Sequence, residues 1–159
     1  MKLSVCVPTE KNLNFKAQSN DRAFFLSEYQ MLSINKIHHI AIIASDYEVS
    51  KRFYTEILGF KIVREVYRAE RESYKLDLEV NGFYAIELFS FPNPPQRNSR
   101  PEATGLRHLA FEVDDIEKTI QYLDSKNVVS ETIRVDEFTG KRFTFINDPD
   151  NLPIEFYEK

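Results

Sequence analysis

The chain has 159 residues, 42% hydrophobic and 29% charged, with a formal net charge of −4. That composition suits one globular domain with a real core, and it argues against nucleic-acid binding, which a basic surplus would signal. One cysteine, Cys6, cannot close an internal disulfide, and no apolar run approaches membrane-spanning length, so the expected setting is the cytoplasm, with no membrane association.

Residues 1–33 read as an N-terminal extension: KNLNFKAQSNDR is polar and aperiodic, as in a loop or flexible arm, and AFFLSEYQML has the spacing of one short amphipathic helix. From Ile34 the pattern sharpens. IHHIAIIA is a β-branched strand. Ser45-Asp46 opens a helix, with Glu48 placed as in a capping box, and Val49, Phe53, Ile57 and Leu58 form its apolar stripe before Gly59 stops it. FKIVREVYR, SYKLDLEV and YAIELFSF follow as strands, the last two joined by an Asn81-Gly82 turn.

Residues 91–105 hold four of the seven prolines and form a stiff linker. The pattern then restarts. LRHLAFEV is a strand; Asp114 and Glu117 suggest a second capping box; Ile116, Ile120 and Leu123 make a helical stripe; ETIRVDE, KRFTFIND and LPIEFYE are three more strands. The expected class is α+β, two βαβββ modules over 34–90 and 106–159 within a domain spanning 34–159.

The repeat survives counting. Asp46 follows His39 by seven residues, and Asp115 follows His108 by seven; 48 residues separate His39 from Glu87, and 47 separate His108 from Glu155. Strand side chains alternate between faces. If Ile40, Ile42, Ile86 and Leu88 pack under the first helix, His39 and Glu87 share the opposite face; Leu109, Phe111, Ile154 and Phe156 leave His108 and Glu155 likewise. A mid-strand carboxylate among large apolar residues is costly to bury without compensation. Two of them, each matched by spacing to a histidine, point to a metal on His39, Glu87, His108 and Glu155. His38 has the wrong parity and reads as structural or rim. Glu112 lies on the ligand face and could line a pocket; Arg68, Tyr74 and Arg142 are further candidates to contact a small anionic substrate.

HHIAIIASDYEVSKRFYTEILGFKI, GLRHLAFEVDDIEKTIQYL, AIELF and NDPDNLPIEFYE resemble the vicinal oxygen chelate superfamily, and within it the small bacterial glyoxalase I-like (lactoylglutathione lyase-like) proteins. The resemblance covers residues 34–158. It implies a cupped mixed sheet around one divalent ion, nickel, zinc, cobalt or manganese, on a His, Glu, His, Glu set with two positions open. It implies lyase or isomerase chemistry through a metal-stabilised enediolate, with Glu155 the base and Glu87 its partner, in a homodimer whose chains share each site. Two positions depart from the pattern. Ile43 stands where the similar enzymes place an arginine, and Phe91 where they place an asparagine, so the usual grip on a glutathione carboxylate is missing. The alternative is a metal-containing binding or resistance module without turnover. Fosfomycin-modifying and dioxygenase relatives typically use fewer protein ligands, which favours the lyase reading.

Overall fold

A computed structural model describes residues 32–159. The expected loop and most of the expected helix in the N-terminal extension lie outside the described residues. From Ile40 onward the two expected modules are present. In the first, β1 (Ile40–Ala44), α1 (Tyr47–Arg52), β2 (Lys61–Arg68), β3 (Ser73–Val80) and β4 (Phe83–Ser90) form a sheet of order β1-β4-β3-β2. In the second, β5 (Leu109–Val113), α2 (Ile116–Ser125), β6 (Arg134–Val135), β7 (Arg142–Asn147) and β8 (Pro153–Glu158) form a sheet of order β5-β8-β7-β6. Each first strand runs parallel to the last strand of its own module, and the other pairs are antiparallel. The fold is α+β, with two mixed four-stranded sheets.

Local chemistry explains the boundaries. Both helices are capped one residue later than the capping-box spacing suggests. Asp46 accepts from the Val49 amide at 3.0 Å, and Asp115 from the Glu117 and Lys118 amides at 3.0 Å each. Ser45 is freed to donate its amide and hydroxyl to Asp150, and Asp114 pairs with Lys159. α1 continues as a π-helical turn over Phe53–Ile57. The wider turn lets the adjacent Phe53 and Tyr54 both face inward, whereas Val49, expected in the stripe, is exposed. Asn81 and Gly82 both have positive φ, as a tight type I′ hairpin requires. The expected strand over 131–137 contracts to two residues, because Asp136 closes a local turn with Gly140 and accepts the Phe138 amide.

The core faces follow parity. Ile42, Ala44, Leu76, Leu78, Ile86 and Leu88 are buried in the first half, and Leu109, Ile116, Leu123, Ile146, Ile154 and Phe156 in the second. These belong to one continuous cluster. The halves touch through helix-side groups. Phe60 meets Phe111 edge to face at 5.3 Å, the Tyr122 hydroxyl donates to the Ile57 carbonyl at 2.9 Å, and the buried Tyr54 hydroxyl donates to Asp148 at 2.8 Å.

Asp148 also accepts the Asp150 and Leu152 amides, at 2.9 and 2.7 Å. Burial nevertheless pushes its carboxyl above the ordinary carboxylate range. Tyr54→Phe leaves Asp148 short of one donor in a dry site, and we expect it to destabilise the chain by about 1–3 kcal/mol in chemical denaturation. An unchanged midpoint would show that this bond does not lock the halves together.

Candidate metal centre

The four expected ligands occupy two sites, one on each sheet. In the first sheet Ala41 lies opposite Glu87, so Glu87 points to the face that carries Ala41, Ile43 and, one step before the strand, His39. His39 Nε2 lies 3.5 Å from Glu87 Oε2. In the second sheet Ala110 lies opposite Glu155, and His108 Nε2 lies 3.0 Å from Glu155 Oε2. Both carboxylates are mostly covered, 12% and 13% exposed, while the imidazoles are more open at 35% and 28%. Two donors on neighbouring corners of one ion, each about 2.1 Å from it, stand about 3.0–3.5 Å apart. Each pair therefore fits half of a metal site. The same spacing serves an imidazolium–carboxylate pair, so it is the recurrence in both sheets that gives the fit its weight.

Within one chain the two halves stay apart: among the described residues no group of three or more His, Cys, Asp or Glu side chains converges.

The surroundings of the pairs differ. Asp77 lies opposite Glu87 in the ladder. Lys75 Nζ sits 2.6 Å from Glu87 Oε1 and 2.8 Å from Asp77 Oδ1, and Arg64 pairs with Asp77 Oδ2 at 2.8 Å. The Tyr84 hydroxyl donates to Glu87 Oε1 and lies 3.2 Å from Asp77. Burial works against the Glu87 charge, but Lys75 and Tyr84 outweigh it and hold the carboxyl below the usual carboxylate range; Asp77 is held down in the same way by Lys75 and Arg64. The premise that Glu87 needs a metal to compensate its burial therefore changes, since Lys75 already does so. Among the described residues no such cation contacts Glu155. Phe145 lies opposite it, and beside it opens a cavity of about 220 Å³ lined by Arg100, Arg107, Arg134, His108 and Phe143.

His38, expected to be structural or at the rim, touches His39 directly, its Nδ1 lying 2.8 Å from His39 Nδ1. With His39 Nδ1 as the donor of this bond, its Nε2 carries the lone pair that a metal needs.

The four substrate candidates separate. Arg68 is on the ligand face, bonded to Ser73 with its guanidinium over Phe89 at 4.7 Å and Phe91 at 5.6 Å. Glu112 shares the His108 face by parity and is exposed, beside a cavity lined by Leu58, Phe60 and Phe111. Tyr74 is on the wrong face: with Leu76 and Leu78 it points to the helix side and stacks on Tyr47 at 4.4 Å. Arg142 is also misplaced, because it shares the face of the buried Thr144 and Ile146. Its guanidinium is taken up by Glu158, at 2.7 and 2.8 Å, and by Glu117 at 2.8 Å. Sequence reasoning missed Lys75, Asp77 and Tyr84, although the strict alternation of SYKLDLEV signals that β3 offers a polar face.

The family model for the Glyoxalase/Bleomycin resistance protein/Dioxygenase superfamily matches residues 36–156. The chain belongs to this superfamily. Within it the chain is similar to the Escherichia coli (strain K12) protein YaeR, 64% identical over 81% of this chain and 100% of YaeR. It is also similar to the crystal structure of the glyoxalase family protein from Enterococcus faecalis, with 48% identity and a TM-score of 0.72 over 77% of this chain and 97% of that one. A lactoylglutathione lyase of Schizosaccharomyces pombe is 29% identical over 78% of this chain, and the match spans 47% of that enzyme. Among the described residues no helix is long and apolar enough to cross a membrane.

Proposed function

We propose that this superfamily member is a metal-dependent, glyoxalase I-like lyase or isomerase of the cytoplasm, acting as a homodimer on a small α-oxygenated substrate. The observation that carries the reading is the repeat of one facing imidazole–carboxylate pair in each sheet, at 3.5 and 3.0 Å. The likeness to a lactoylglutathione lyase supports it.

The separation of the two pairs within one chain supports the dimer reading. The His39–Glu87 half of one chain meets the His108–Glu155 half of its partner, and the twofold relation gives two complete sites. The exposed Ile43 and Val66, both on the ligand-bearing face of the first sheet, supply apolar surface for such a partner to cover. The donor set of two nitrogens and two carboxylate oxygens suits nickel, zinc, cobalt or manganese. When bound, such an ion supplies Lewis-acid stabilisation of charge that develops on the substrate's oxygens.

The remaining work falls to the chain's own side chains. Glu155, which pairs with His108 and with no lysine among the described residues, takes the proton from the carbon next to the carbonyl and returns it to the neighbouring carbon. Glu87, held by Lys75 and Tyr84, keeps its place. Arg68 presents a cation over Phe89 and Phe91 for a negatively charged substrate group. Ile43 and Phe91 offer no such partner, so glutathione is not the preferred thiol.

The test is turnover of methylglyoxal with a panel of thiols on protein loaded with each of the four metals. We expect metal-dependent product formation that a chelator abolishes, with another thiol surpassing glutathione. Tight binding of the adducts with no product under any metal would favour the sequestering module instead.

A further inference from the structure

We infer that Lys75 and Tyr84 are positioning residues that pin one oxygen of Glu87 and make this glutamate a fixed, single-oxygen ligand. The inference rests on the metal reading above. Its ground is the division of labour between the two oxygens. Lys75 Nζ, at 2.6 Å, and the Tyr84 hydroxyl both engage Oε1, while Oε2 alone faces His39 Nε2, at 3.5 Å. An oxygen already holding an ammonium and a hydroxyl has no lone pair well placed for a cation, and it resists rotation of the carboxylate.

The clamp is itself held. Asp77, 4% exposed, takes Lys75 on Oδ1 at 2.8 Å and Arg64 on Oδ2 at 2.8 Å, so the ammonium cannot drift toward solvent without breaking a buried pair. A register shift in the ladder delivers Tyr84. Leu78 pairs with Ile86 but Glu79 pairs with Tyr84, so Ala85 is an extra residue. Without this bulge, Tyr84, two residues before Ile86, would fall on the core face. With it, Tyr84 and Glu87 both reach the ligand side.

Nothing equivalent exists in the second sheet. By register, Phe145 stands opposite Glu155 as Asp77 stands opposite Glu87, and Phe143 lies where Lys75 would be. Leu152, three residues before Glu155 as Tyr84 is before Glu87, is buried and apolar. The two glutamates of the repeat have therefore diverged: one is anchored, and the other keeps the freedom to leave a cation and carry a proton.

The test uses the full chain with Ni²⁺ and Co²⁺ alone. Calorimetric titration of Lys75→Met and Tyr84→Phe is compared with wild type, alongside thermal melts of the metal-free proteins and the visible spectrum of bound Co²⁺. We expect each variant to bind one ion per chain about 10–100-fold more weakly, the loss typical of an outer-shell partner. The Co²⁺ bands are expected to change, and Lys75→Arg to restore part of the affinity. If wild type binds metal and both variants bind it equally well with the same Co²⁺ spectrum, the clamp is overturned while the metal reading stands. If wild type binds neither ion, the metal reading falls and the clamp with it. Should Lys75→Met fail to fold, Tyr84→Phe decides by the same two readouts.

Discussion

Chains carrying His39→Ala and chains carrying Glu155→Ala, each inactive alone, are expected to regain metal binding and turnover when unfolded together and refolded as a mixture. The reason lies in which half of the site each chain contributes in the proposed dimer. In a mixed dimer one site receives both damaged halves and is lost. The other receives the intact His39–Glu87 half of the Glu155→Ala chain and the intact His108–Glu155 half of the His39→Ala chain. Random pairing makes half of the dimers mixed, and half of their sites whole, so about a quarter of wild-type activity returns. A site built within one chain would return none, because no chain in the mixture is intact. Active-site titration with Ni²⁺ measures the same fraction without any assumption about substrate.

The second large effect concerns the proposed base. Glu155→Gln is expected to lower kcat by about 10²–10⁴-fold, the range for a positioned proton-transfer group, with a smaller change in KM. Glu87→Gln should instead act first on metal affinity, since Glu87 Oε1 is occupied by Lys75 and Tyr84. Saturating the Glu87→Gln variant with metal should recover much of its turnover; saturating Glu155→Gln should not. The opposite pattern would exchange the roles of the two glutamates. The contrast matters because the sequence repeat presents the two as equivalents, in AIELF and PIEFY.

The fold was legible because its signals were periodic. Parity placed Ile42, Leu88, Ile154 and Phe156 inside and left Glu87 and Glu155 on the other face, as the structure has them. Asn81-Gly82 marked its turn through positive φ at both positions. The failures have physical causes. The expected helix starts fall one residue early because serine and aspartate are adjacent at one start and two aspartates at the other. Which of them caps depends on tertiary partners, Asp150 for Ser45 and Lys159 for Asp114. The strand expected over 131–137 shortens to Arg134–Val135 because Asp136 makes its own local turn.

Tyr74 and Arg142 are candidates by residue type alone, and strand parity places neither of them with Glu87 or Glu155. Counted from Glu87 and Glu155 through the ladders, both fall on the helix side.

The Lys75–Asp77–Tyr84 group was harder to see. A two-residue hairpin without a bulge pairs Asp77 with Ile86, which sets a charge beside a core residue. The chain resolves this by inserting Ala85, so that Asp77 meets Glu87 and Leu78 meets Ile86. A one-residue slip of this kind leaves no local mark in YAIELF. It shows only when the polar face of β3 is required to match the polar face of β4, a condition that joins two strands and cannot be read from either alone.

The paired half-sites lead to one count above all: metal bound per chain after stripping with chelator and reloading with excess Ni²⁺ or Zn²⁺. One tightly held ion per chain in a dimer, lost in both His39→Ala and Glu155→Ala, is the predicted result. A dimer that binds no stoichiometric ion, or keeps its full complement when either residue is removed, would contradict the assignment of His39, Glu87, His108 and Glu155 as one shared set of ligands.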